Sequence, residues 1–178
     1  MGARQEEEVL TGAEHPGACN SADMGAVRRL LGREPMARFF VSVRDRNGDP
    51  VVICNEPFTF DGKPMPTRWW LVGAETARAI GGLEATGGVR AAEREVDPET
   101  LRQAHLRYAQ ERDAAIPPGW TGPRPAGGVG GTRRGVKCLH AHYAWYLAGG
   151  RDPVGRWADD RLDRLGSRPA LVAEWSRL

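Results

Sequence analysis

Residues 38–72, RFFVSVRDRNGDPVVICNEPFTFDGKPMPTRWWLV, carry the pattern that sets the fold. Phe39, Val41 and Val43 alternate with Arg38, Phe40, Ser42 and Arg44, the period of two that marks a strand with one face inward. A second apolar run, Val51–Cys54, follows Asn47–Gly48. Asn-Gly between two such runs signals a hairpin, because both residues tolerate the positive φ of a tight turn. Asp61–Gly62 is a second turn signal, between Pro57–Phe60 and Thr67–Val72, where Thr67, Trp69 and Leu71 alternate with Arg68, Trp70 and Val72. Prolines 57, 64 and 66 lack the N–H a ladder needs and mark strand ends or edges. The expectation is an antiparallel meander of three to four strands, with Cys54 as a small core residue.

On either side the period lengthens to that of a helix. Upstream, Ser21 or Asp23 caps a short helix whose apolar positions Met24, Val27, Leu30 and Leu31 recur at three and four, ending at Gly32. Downstream, Ala77, Ile80 and Leu83 give a helix over about 74–86 that stops at Gly87–Gly88, and Asp97–Pro98–Glu99 opens another over about 98–113. The stripe of that second helix is thin, Leu101, Ala104 and Tyr108 with His105 between them, so it is expected to face mainly solvent. Residues 116–132 cannot form a regular element, and a third helix runs over about 133–148. A short helix lies near Trp157–Leu165 after a turn at Pro153. Hairpin-linked strands followed by helices give an α+β fold with the helices mainly on one sheet face. Residues 1–20 read as a disordered tail, 21–166 as a single domain, and 167–178 as a tail or a short docking helix spaced on Leu171 and Trp175.

Length and composition bound the function. A chain of 178 residues is one ordinary domain, and a formal net charge of +2 is too small to argue for nucleic acid. Nearly all the basic residues are arginines; Lys63 and Lys137 are the exceptions. Cys19, Cys54 and Cys138 have no paired spacing, which suggests reduced thiols in a cytoplasmic protein. No apolar run approaches the roughly 18 residues of a membrane span, so no membrane insertion is expected. The start of the chain is acidic at Glu6–Glu8 and lacks the apolar region of a secretory signal.

One stretch has the residue types for chemistry: Gly127–Gly150, GGVGGTRRGVKCLHAHYAWYLAGG. On a wheel of about 100° per residue, Leu139, Tyr143, Tyr146 and Leu147 share an arc with His140, while Cys138 and His142 fall opposite, four apart. Three readings stand beside the plain one of a packed thiol, a His140 bonded to a backbone carbonyl and solvated arginines. Cys138 and His142 supply two metal ligands, but zinc needs at least a third from elsewhere. Cys138 is a nucleophile with His142 as its base. Or Arg133, Arg134 and Lys137, with the first-turn amides of the helix, hold a phosphate or carboxylate, joined by His140 and by Arg44 if the first hairpin lies close. No Walker A or other cofactor motif occurs, and no cofactor is expected. The favoured expectation is a non-enzymatic binding module with an anion site here. The alternative is an enzyme acting through Cys138 and His142. A docking surface around Arg68, Trp69 and Trp70 is a third expectation.

The segments R-D-R-N-G-D-P at 44–50, D-G-K-P-M-P-T-R-W-W-L-V at 61–72, L-E-A-T-G-G-V-R at 83–90, V-K-C-L-H-A at 136–141 and D-P-V-G at 152–155 resemble the bacterial family called domain of unknown function 501. The resemblance covers about residues 24–165. It implies a small intracellular α+β protein with no established reaction, encoded near division-related and phosphate-metabolic genes. The expected partners are thus a phosphate-containing small molecule or a division-related protein. Members of that family often carry R-C-P-C-G-x-P and L-T-C-P where this chain has Arg44–Pro50 and Leu71–Ala74. The chain keeps only Cys138 of those cysteines, with Asp45, Asn47 and Gly73 in the other places, so no metal site of that kind is expected.

Overall fold

The computed structural model describes residues 19–172. The expected N-terminal tail, apart from Cys19 and Asn20, and the Trp175 end of the chain lie outside those residues. The elements run α1 (Ser21–Leu31), β1 (Phe39–Asp45), β2 (Pro50–Asn55), β3 (Trp69–Leu71), α2 (Ala74–Ala85), α3 (Gly88–Glu95), α4 (Pro98–Asp113), α5 (Leu139–Leu147), α6 (Pro153–Arg164) and β4 (Leu171–Val172). The class is α+β, as the strand and helix periods predict.

The sheet has the order β3-β2-β1-β4, antiparallel throughout. Asp45 closes the first hairpin by accepting from the Asn47 and Asp49 amides at 2.8 and 2.9 Å, with Gly48 at φ 85°. Ser42 sits in a register shift between Val41↔Ile53 and Val43↔Val52, which turns Val41 and Val43 to opposite faces. The proline-rich 57–66 stretch forms no strand beyond an isolated Phe58–Pro64 bridge. β3 is therefore shorter than the alternation suggests.

Central β2 is buried along its whole length, because both sheet faces are covered. On one face, α1 packs Val27 against Phe39, Ile53 and Val72. On the other, Val43, Val52, Cys54 and Trp69 meet Tyr108 of α4 and Ala141, Ala144 and Trp145 of α5. The far side of α5 presents Leu139 and Tyr143 to Ile80 and Leu83 of α2 and to Val154, Ala158 and Leu162 of α6. Thus α5 is a central helix sandwiched between sheet and helices.

Four details depart from the sequence expectation. Asn20, not Ser21 or Asp23, caps α1 by accepting from the Asp23 amide, which leaves the Asp23 carboxylate to receive both terminal nitrogens of Arg44 at 2.9 Å. Gly87 does not end the helical region: its φ of 85° redirects the chain straight into α3. A Cβ on Gly88 would meet the Leu83 carbonyl at 2.5 Å, so that bend closes only on a residue without a side chain. α5 begins at Leu139, not near 133. Finally, Leu171–Val172 pairs with Asp45 and Arg44 as a strand where a helical turn was expected.

Candidate functional site

The 114–138 connection contains only a single 3-10 turn at Val129–Gly131, yet it is fastened at many points. Val129 is fully buried and packs within the cluster that holds Trp69, Tyr108 and Trp145. Arg112, 2% exposed at the end of α4, donates from Nη1 to the Gly127 carbonyl at 2.6 Å and from Nε to Asp113 at 2.8 Å. His105, 7% exposed, accepts from the Val129 amide at Nδ1 (3.1 Å) and donates from Nε2 to the Gly135 carbonyl (3.0 Å). The amide can only donate and the carbonyl only accept, so the pair of bonds fixes the neutral Nε2–H tautomer. Lys137 Nζ reaches the Gly130 carbonyl at 3.2 Å, and Thr132 Oγ1 bonds the Arg134 carbonyl at 2.7 Å. Buried side chains from α4 and the loop's own backbone bonds give it one shape.

The start of α5 is where an anion was expected to sit on free amides. Two carboxylates of the chain occupy it. Glu93 of α3 accepts from the Val136 amide at 2.8 Å, and Glu84 of α2 accepts from the Leu139 amide. Glu84 also lies 3.2 Å from His140 Nδ1, whose Nε2 donates to the Ala77 carbonyl at 3.2 Å. The negative charge that a helix N-terminus favours is thus supplied from within. Replacing Glu84 by alanine removes a cap held across 55 residues of sequence and should destabilise the protein by about 1 kcal/mol. Chemical denaturation checks this, and an unchanged midpoint would show that the carboxylate is dispensable there.

The cationic residues divide. Arg133 and Arg134 are exposed at the loop tip, and among the described residues neither forms an ion pair. Lys137 is exposed as well, with its Nζ on the Gly130 carbonyl. Arg44 is on the sheet and committed to Asp23 and to the Gly48 carbonyl. His140 is committed to α2.

Cys138 and His142 do not form a hydrogen-bonded pair. Cys138 is the cap residue of α5 with extended backbone (φ −157°, ψ 149°), so helical i,i+4 geometry does not apply to it. Burial is the main cause that pushes its thiol up from the ordinary value, opposite to what an activated nucleophile needs. His142 is 1% exposed, and its Nδ1 meets Asp152 at 2.7 Å; Asp152 in turn caps α6 by accepting from the Val154 and Gly155 amides. His142 Nε2 is buried without a partner. The ring centroids of His142 and His105 are 5.7 Å apart.

Trp69 is 9% exposed and Trp70 is half-buried, with Arg33 over its ring at 5.2 Å. Among the described residues no cluster of three or more His, Cys, Asp or Glu is arranged for a metal. Asp45, at a position where the resemblance places a cysteine, serves the hairpin turn; Gly73, at another, packs on Val51. A cleft of about 460 Å³ lies between α5, α6 and the segment leading to β4. Its polar groups are spent on one another: Asp159 accepts from Tyr143, Tyr146 and Arg168.

A family model described as a protein of unknown function, DUF501, matches residues 41–160. The chain belongs to this family. The match spans β1 to α6 and so contains the whole pinned loop and its supports. No curated protein and no solved structure matches the chain. In this DUF501 chain the loop is shaped by His105, Arg112, Glu84 and Glu93, none of which the local pattern places at the anion site. His105 and Arg112 nevertheless fall on the stripe of Leu101, Ala104 and Tyr108, a signal that α4 buries polar groups. Asp152 precedes a proline and thereby announces a cap, as Asp97 does before α4. No local signal marks the two glutamates.

Proposed function

We propose that the protein is a non-enzymatic binding module that recognises an anionic group of the phosphate type through the loop tip carrying Arg133, Arg134 and Lys137. The observation that carries this reading is a contrast: the backbone under the tip is tied down by buried His105 and Arg112, while the two arginines at its crest are exposed and, among the described residues, without ion pairs. Burying polar side chains is unfavourable unless their bonds are made, and here those bonds fix the backbone below the arginines. A fixed backbone lowers the ordering cost of binding. Arginine's planar fork matches the oxygens of phosphate better than a point charge does.

The test is thermal unfolding in pyrophosphate. Saturation near a hundredfold above Kd stabilises by about 2.7 kcal/mol, a rise in Tm of roughly 5–10 °C for a domain of this size. The double variant Arg133→Ala/Arg134→Ala should lose that rise while keeping the ligand-free Tm, since both side chains are exposed. No rise in millimolar pyrophosphate, or an equal rise in the double variant, would refute the reading.

A further inference from the structure

We infer that His105 is the positioning residue of the loop-tip site and makes it acid-sensitive, the neutral ring holding the tip in place and the protonated ring releasing it. This rests on the anion-binding reading above. One imidazole ties both shoulders of the tip: Val129 on the way in, through Nδ1, and Gly135 on the way out, through Nε2. The ring has no slack, because a Cβ on Gly128 would lie 2.4–2.6 Å from its Cβ, Cγ and Nδ1. A proton on Nδ1 sets two N–H groups against each other at the Val129 contact. Val129 is fully buried, so its amide has no water to turn to and the loop must move.

The groups around the ring pull both ways, and burial outweighs those that favour a proton. From α5 comes His142, 5.7 Å away between ring centroids, itself a base. From the start of α6 comes Asp152, whose oxygens are already taken by His142 and two amides. Glu93 of α3 is spent on the Val136 amide, and Arg112 on the ring's own helix is a cation. Burial is the largest cause that pushes His105 below its ordinary 6.5; the Gly135 hydrogen bond and Asp152 oppose it, and His142 adds to it. The neutral ring's contribution to stability is therefore complete above about pH 6.5 and is lost as the pH falls from there through the depressed native value.

The experiment follows the full chain from pH 7.5 to 5 with two readouts. One is hydrogen exchange of peptides spanning 127–136, corrected for the intrinsic pH dependence. The other is affinity for sulfate, an anion that does not titrate in this range. In the wild type, acid should speed loop exchange and weaken sulfate binding roughly fivefold, the worth of one buried hydrogen bond. In His105→Asn, whose side-chain oxygen can still accept from Val129 but takes up no proton, both profiles should be flat. Should that variant fold poorly, His105→Gln serves, keeping reach toward Gly135 without titrating. A flat wild-type profile, or equal acid weakening in the asparagine variant, overturns the inference. Absence of sulfate binding at every pH refutes the anion-site reading instead, and the exchange profile then decides the role of His105 alone.

Discussion

Asp152→Ala should destabilise the protein by roughly 3–5 kcal/mol, the range for removing one partner of a buried charged or polar pair. Its carboxylate is wholly buried and serves three donors: His142 Nδ1 and the first two free amides of α6. With alanine there, all three donors lose their acceptor inside the core. The helix also loses its cap, a loss of about 1 kcal/mol by itself. Denaturation in urea is the measurement, and a lower midpoint at an unchanged slope is the expected form. Asp152→Asn keeps an oxygen for the α6 amides and should recover part of the loss. A change below about 1 kcal/mol in the alanine variant would mean that the interior relaxes around His142 and that the pair is not a fixed strut.

Arg112→Ala should be the second most damaging change, at about 2–4 kcal/mol, with its effect concentrated in the loop. The side chain fills a site that is 2% exposed, so truncation leaves a cavity under the 127–131 turn. It also strands the Gly127 carbonyl, whose donor it is. The loop-tip arginines keep their charge but lose the fixed backbone that aligns them, so the gain in Tm with pyrophosphate should shrink by more than half of its wild-type value as the loop's exchange accelerates. Arg112→Lys should rescue little, because one ammonium cannot span Gly127 and Asp113 as the fork does. A variant with normal loop exchange would show that His105 and Val129 hold the turn without it.

How much of this was legible in the sequence varies with the reach of each interaction. The meander and most helices could be read because they rest on local spacing: alternation in Phe39–Val43, Asn47–Gly48 at the turn, Asp97–Pro98 at the head of α4. α3 was hidden because two adjacent glycines look like a stop, whereas here Gly87 makes a bend and Gly88 permits a close crossing. The wheel of α5 misleads for a different reason. It assumes one wet face, but α5 is covered by the sheet on one side and by α2 and α6 on the other, so His142 and Trp145 are buried too. The loop-tip cations were visible as residue types. What holds them was not, because Glu84 and Glu93 lie 55 and 43 residues from the amides they cap.

The capping of α5 by carboxylates from α2 and α3, together with the loop's ties to α4, makes this segment unsuited to transplantation. A peptide cut out at 127–147 would carry the same cations on a chain with no preferred shape, since the groups that shape it from outside belong to α2, α3 and α4 before it and to α6 with its Asp152 cap after it. Grafted onto another scaffold it would bring charge without geometry. The shape of the 127–138 segment is thus a property of the assembled domain, and the exposed Arg133 and Arg134 are positions where a change leaves the frame below undisturbed.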